Sequence, residues 1–212
     1  MDIRKTDSLL ELSHTEAASI FKDGEAIYLA LTRIADFIAE FTNSLPEGYR
    51  EIRSGVFAHK SAKVAKEAVI MPGVIIGKES EIRPFAYIRK NAVIGNGVVV
   101  GNSTEIKNSV IFDGAQLPHY NYIGDSIIGY KAHLGAGAIL SNFRLDHKNV
   151  KINLQSETLD TGLRKFGCII GDEAEIGCGA VICPGSIVGR KSVIYPLSFV
   201  NGTVADGCIL KK

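Results

Sequence analysis

From Val64 an aliphatic residue returns every six positions: Val64, Ile70, Ile76, Ile82, Ile88, Ile94, Val100 and Ile106. After a five-residue step the series continues through Ile111, Leu117 and Ile123, and after another through Ile128, Leu134 and Leu140. It resumes as Ile170, Ile176, Ile182, Val188, Ile194 and Val200. The next residue is often glycine, as at Gly77, Gly95, Gly124, Gly135, Gly171 and Gly189, and the fourth after it is small or β-branched, as at Ala86, Thr104, Ala115, Ala138 and Ala180. A period of six is not helical, and glycine costs a helix about 1 kcal/mol per residue. Six is three strand periods, enough for a short strand and a turn. Three such units close a coil of triangular section, with the aliphatic residue inside and glycine at the corner. Stacked coils bury a continuous column that no single coil can bury. The series predicts a mainly β fold, a parallel β-helix of hexapeptide repeats with about six coils.

Two stretches depart from the period. Residues 141–167 lose it and read as a long loop extruded from the β-helix; loops of that length are usually functional. Residues 1–50 precede it. Ser13 and Glu16 have capping-box spacing ahead of a short apolar run. From Gly24, the residues Ile27, Leu31, Ile34, Ile38 and Phe41 share one helical face, which Asn43-Ser44-Leu45-Pro46 ends. The expected organisation is an N-terminal α-helical arm over residues 1–50 and a β-helix over residues 51–212.

Composition narrows the partners. A net charge of +1 gives no general attraction to nucleic acid or anionic membrane, so any anion site is local. The first residues, MDIRKTDSLLELS, carry no signal-peptide core, and no apolar run reaches membrane-spanning length. Cys168, Cys178, Cys183 and Cys208 form no C-x-x-C pair and suit free thiols in a reducing, cytoplasmic compartment.

Stacking brings distant polar residues into register. Positions one 18-residue coil apart lie one strand spacing apart, about 4.8 Å. Arg89 and Lys107 are so related and both follow an inward aliphatic residue. Two stacked cations repel, and a bound phosphate would relieve them. After the five-residue step, His119 and Ala136 fill the same slot on adjacent coils. An imidazole beside the Gly135-Ala136-Gly137 backbone is a general base next to an N–H donor for an oxyanion.

Several segments carry a family resemblance. GNSTEIKNSVI, LPHYNYIGDSIIG and HLGAGAILSNFRLDHKNVKI resemble the acetyltransferase half of bifunctional glucosamine-1-phosphate N-acetyltransferase/N-acetylglucosamine-1-phosphate uridyltransferases. TLDTGLRKFGCIIGDEAEIGCGAV is similar to the C-terminal domain of related sugar-1-phosphate nucleotidylyltransferases, the branch related to UDP-N-acetylglucosamine pyrophosphorylase. The resemblance implies a left-handed β-helix, a homotrimer with clefts between subunits, and acetyl-CoA as co-substrate with no metal. It implies His119 as catalytic base and Ala136 as the acetyl-CoA contact whose N–H steadies the oxyanion. Arg89, Lys107, Tyr122 and Lys148 match sugar-phosphate contacts, Asn142 a sugar contact and Cys178 a coenzyme A contact. The family pattern has Asn at His133, Tyr at Phe143 and Ser at Cys178. It also has a basic C-terminal tail where this chain reads Ile209-Leu210-Lys211-Lys212, and a Gly-rich nucleotidylyltransferase domain that nothing here matches.

The function expected is transfer of an acetyl group from acetyl-CoA to the amine of a glucosamine-1-phosphate-like sugar. Two alternatives stand beside it. One is a non-catalytic trimeric scaffold or regulatory module associated with a nucleotide-sugar enzyme. The other is a metal enzyme of the carbonic-anhydrase type using His119, His133 and His147, whose 14-residue spacings do not match that family's close histidine pair.

Overall fold

The computed structural model describes residues 3, 5–154 and 157–211; Met1, Asp2 and Arg4 of the arm, Gln155 and Ser156 of the loop and the terminal Lys212 lie outside the described residues.

The aliphatic series builds a parallel β-helix with three sheets. Sheet A includes Val74–Ile76, Ala92–Ile94, Ser109–Ile111, Cys168–Ile170 and Ser186–Val188. Sheet B includes Val99–Asn102, Gln116–His119, His133–Leu134 and Glu175–Ile176. Sheet C includes Tyr87–Ile88, Glu105–Lys107, Tyr122–Gly124, Ile139–Leu140 and Val181–Ile182. Register keeps the interior aliphatics in file: Ile88 faces Ile106, which faces Ile123, then Leu140, then Ile182. All five are fully buried, so each coil covers the column of the next.

Sheet B has eight strands, so the solenoid runs about eight coils and not six. The extra turns lie where the six-residue step is disguised. Val56–His59 opens the first coil with Ala58 in the aliphatic slot, and at the far end Val204 and Leu210 continue the column after a shortened step. The antiparallel strand Tyr49–Arg53 pairs with Val56–His59 and covers the first edge of sheet A.

Corners between sheets use left-handed backbone. Asn91, Asn108 and Asp125 stack at the corner from sheet C to sheet A with φ of +60°, +46° and +47°. Asn and Asp enter this region more readily than other side chains. Phe85, Tyr120 and Leu197 hold the corner from sheet B to sheet C, at φ +65°, +52° and +61°, with exposed side chains.

Sheet A is buried on both faces. Its outward residues Ile75, Val93, Val110, Ile127, Ile169 and Ile187 pack under Ile20, Phe21, Ile27, Leu31, Ile34 and Phe37 of the N-terminal arm. The arm is less α-helical than its spacing predicts. Ile27–Arg33 and three shorter segments are 3-10 turns, and only Ile34–Asn43 is α-helix. Between Leu9 and His14 the coil bonds the arm's backbone directly. Asp172 N donates to Leu9 O at 3.0 Å and Asp113 N to His14 O at 3.0 Å. The buried Asp172 carboxylate accepts from Glu11 N at 2.8 Å and Tyr130 N at 2.8 Å. The expected capping box does not form. Ser13 lies within the 3-10 turn Leu12–His14, which Glu11 caps, and Glu16 accepts from the Tyr49 hydroxyl at 2.6 Å.

The loop over residues 141–167 leaves sheet C and returns into sheet A, but it is not thrown clear of the coil. Lys151–Asn153 pairs antiparallel with Thr158–Asp160, and Val150, Ile152 and Phe166 are buried in the layer over sheet A. The Tyr28 and Phe166 rings meet there at 5.5 Å. The loop's apolar residues take the part of the sheet that the arm leaves open.

Candidate active site

Sheet C and its two corners carry the candidate residues. Tyr87, Glu105 and Tyr122 lie in register as outward neighbours, and Arg89 and Lys107 follow the inward Ile88 and Ile106. Arg89 N donates to Ile106 O at 2.8 Å, which holds the two cations on adjacent coils. Each cation has a carboxylate partner within the chain. Arg89 Nη1 bonds Glu105 Oε1 at 2.9 Å, and Lys107 Nζ bonds both Asp125 oxygens, at 3.1 and 2.9 Å.

Asn142 is buried and donates through Nδ2 to Asp125 Oδ2. The Tyr122 hydroxyl comes to the same place: a Cβ on Gly124 would lie 2.6 Å from it and 2.5 Å from Asn142 Nδ2, so the absence of a side chain at Gly124 makes room for both. Burial, then the charges of Glu105 and Asp125, push the Tyr122 phenol up. It stays a neutral donor and acceptor at physiological pH. Arg89, Lys107, Tyr122 and Asn142 therefore form one cluster with Glu105 and Asp125.

His119, Ala136 and Cys178 form a second group at the corner between sheets B and C. The Gly137 N–H donates to His119 O at 3.2 Å, and Gly179 N donates to Ala136 O at 2.9 Å. All three residues are exposed. Among the described residues the Ala136 N–H has no hydrogen-bond partner. His119 ends its strand in sheet B and Tyr122 opens the next strand in sheet C, so the two groups lie on successive strands of one coil.

Lys148 is exposed on the loop, where its N–H bonds Asp146 Oδ1 at 3.2 Å; among the described residues its side chain meets neither Arg89 nor Lys107. His133 bonds Glu175 at 2.8 Å and His147 packs edge-on against Phe143, so the three histidines at 14-residue spacing do not converge. Among the described residues no three His, Cys, Asp or Glu side chains are grouped to hold a metal ion.

Three residues of the site escaped the hexapeptide reading. Glu105 and Asp125 neutralise the cations. Asn121 is buried and ties the two corners together, with Nδ2 donating to Gly135 O at 2.8 Å and Oδ1 accepting from His119 N at 3.3 Å. Its signal is a large polar side chain in an interior slot that takes Ala86, Thr104 and Ala138 on other coils.

The family model described as the GMPPB C-terminal domain matches residues 78–159. A bifunctional sugar-1-phosphate nucleotidylyltransferase/acetyltransferase from Sulfurisphaera tokodaii is 36% identical over 174 residues, covering 74% of this chain and 43% of that protein. The bifunctional protein GlmU of Methanococcus aeolicus is 36% identical over 169 residues, covering 71% of this chain and 41% of that protein. The solved acetyltransferase domain of PglB from Neisseria gonorrhoeae, in complex with acetyl coenzyme A, is 20% identical, with a TM-score of 0.39 over 84% of this chain and 62% of that chain.

Fold and site together define a hexapeptide-repeat parallel β-helix whose candidate residues lie on one sheet and its two corners. The chain belongs to the hexapeptide-repeat β-helix family of the two bifunctional relatives. It spans about two-fifths of the length of the curated relatives it matches, 43% and 41%.

Proposed function

We propose that this chain is an acetyl-CoA-dependent N-acetyltransferase whose acceptor is the amine of an amino-sugar phosphate of the glucosamine-1-phosphate kind. One observation carries the reading: the register that puts the His119 corner in hydrogen-bond contact with the Gly135–Gly137 corner, where sheet B turns into the sheet of Arg89 and Lys107. Relatives named as bifunctional nucleotidylyltransferase/acetyltransferases support it.

In this reading Arg89 and Lys107 hold the phosphate and so fix the sugar's amine. The ammonium first loses one proton to solvent, and His119 takes a second from the amine nitrogen as that nitrogen attacks the thioester carbonyl. The Ala136 N–H faces the oxyanion of the tetrahedral intermediate, an interaction worth about 3 kcal/mol. As the intermediate collapses, the C–S bond breaks and coenzyme A leaves with the proton returned by His119. Tyr122 and Asn142 contact the sugar. Cys178 borders the coenzyme, and Lys148 reaches the phosphate if the loop moves. The chain assembles as a trimer whose clefts complete the sites. No helix among the described residues is long and apolar enough to cross a membrane.

A coupled thiol-release assay with acetyl-CoA against glucosamine-1-phosphate and galactosamine-1-phosphate tests the function. Thiol release that depends on one of these amines is the expected result, and none with either refutes it. A trimeric scaffold is the second reading, favoured by the internal pairing of Arg89 and Lys107; calorimetry with coenzyme A separates the two, because a scaffold binds none.

A further inference from the structure

Asp125 has no part in the chemistry above, yet it holds several of the groups that do. Its side chain is only 7% exposed. The carboxylate accepts two bonds from Lys107 Nζ, one from Asn108 Nδ2 at 2.9 Å and one from Asn142 Nδ2. Asn142 in turn meets the Tyr122 hydroxyl above Gly124. The backbone of Asp125 closes the same corner: its N–H donates to Lys107 O at 2.8 Å, and its carbonyl accepts from Gly167 N at 2.8 Å. Both legs of the loop, at Asn142 and at Gly167, are thus tied to one residue.

Free lysine side chains are among the costliest to immobilise, because they have many rotamers to lose. A buried carboxylate with both oxygens within hydrogen-bond distance of Nζ removes that freedom in advance and leaves the ammonium a donor for an incoming phosphate oxygen. The same carboxylate orients the Asn142 amide by accepting its N–H. Charge-assisted bonds of this kind are stronger than neutral ones, and Asp125 is itself held by the corner backbone.

We propose that Asp125 is a positioning residue that presets Lys107, Asn142 and, through Asn142, Tyr122 for the sugar-phosphate substrate. The proposal rests on the reading of sheet C as the substrate face. Asp125 lies at the corner of sheet C opposite His119, so it serves substrate binding and not proton transfer.

Asp125→Asn tests it, since asparagine keeps the size and tolerates the left-handed φ. With an active wild type, KM for the amino-sugar phosphate should rise at least tenfold, while KM for acetyl-CoA stays within twofold and kcat within fivefold. A merely structural role would lower the active fraction without that split, and an unchanged sugar-phosphate KM overturns the proposal. If Asp125→Asn does not fold, Asp125→Glu, which keeps the charge but shifts it by one methylene, should show an intermediate KM; a wild-type value overturns the proposal. A second readout needs no substrate: labelling by an amine-reactive ester, followed by peptide mass spectrometry. Loss of the ion pair should raise Lys107 labelling at least threefold relative to the exposed Lys78. Were the wild type inactive with every amino-sugar phosphate, the functional reading would fail, and the labelling would decide alone whether Asp125 holds Lys107.

Discussion

The Gly137 N–H donates to the carbonyl oxygen of His119 at 3.2 Å, so the corner bearing the imidazole and the corner bearing the Ala136 N–H are one hydrogen-bonded unit. The imidazole itself is exposed. Removing it should therefore cost little stability, within about 0.5 kcal/mol, as for most surface changes. His119→Ala is expected to lower kcat by a factor on the order of 100 or more, with an unchanged melting temperature. Thiol-release kinetics check this, and a wild-type rate in the variant would remove His119 from proton transfer.

Asn121 makes a different prediction because it is buried. Asn121→Ala removes one of the two donors to Gly135 O, which keeps the Ala138 N–H, and takes the acceptor from His119 N. Lost hydrogen bonds of this kind cost about 0.5–1.5 kcal/mol each. Urea unfolding should show a loss of about 1–2 kcal/mol. The variant should also lose kcat, because the two corners are no longer locked together, while KM for the sugar phosphate holds. Loss of stability with full kcat would show that the corners keep their geometry without the amide.

The interior of the solenoid was legible because every coil repeats the same demand: one aliphatic residue in one slot. Most of the wall was legible for the same reason. A fixed register converts sequence spacing into contact, which places Arg89 over Lys107 and His119 over Ala136 by counting alone. What counting missed depends on side-chain reach. Asp125 finds Lys107 on the neighbouring coil and Asn142 at the root of a loop that has no period. The arm was misread for a related reason. Its apolar spacing is helical over residues 27–41, which fold as a 3-10 segment running into the α-helix, while between Leu9 and His14 the backbone bonds to Asp172 and Asp113 of the coil instead. A usable signal lay in sheet A, where Ile75, Val93, Val110, Ile127, Ile169 and Ile187 put an apolar residue outward on six strands and so call for a covering layer.

Tyr49 links the first strand to the arm through its bond to Glu16. Burial, then that bond and the Glu16 charge, push the phenol well above its ordinary range. In the unfolded chain it titrates near 10. The folded state thus keeps a proton that the unfolded state surrenders. The stability this contributes is complete below pH about 10 and falls as pH rises beyond it, by up to about 1.4 kcal/mol per unit. Tyr49→Phe should cost about 1 kcal/mol at pH 8 through the lost hydrogen bond, and should flatten the decline between pH about 10 and 11. Urea unfolding of both proteins at several pH values measures this; parallel declines would assign the alkaline loss to other groups.

Gly185 marks where the loop hairpin crosses the coil. Its φ is +82°, and a Cβ there would stand 2.1 Å from Lys151 O and 3.0 Å from Val150 Cγ1. Alanine must therefore bear left-handed strain of about 1–2 kcal/mol and also push the hairpin backbone away. Gly202 is the control: its φ is +118°, and a Cβ would meet nothing within 4 Å. Gly185→Ala should open Lys151 to trypsin while the coils stay resistant, and should lower stability by more than Gly202→Ala does. The hairpin covers part of sheet A and is rooted at Asn142, so the same variant should weaken sugar-phosphate binding. Equal proteolysis of the two variants would mean that the hairpin does not depend on this close approach.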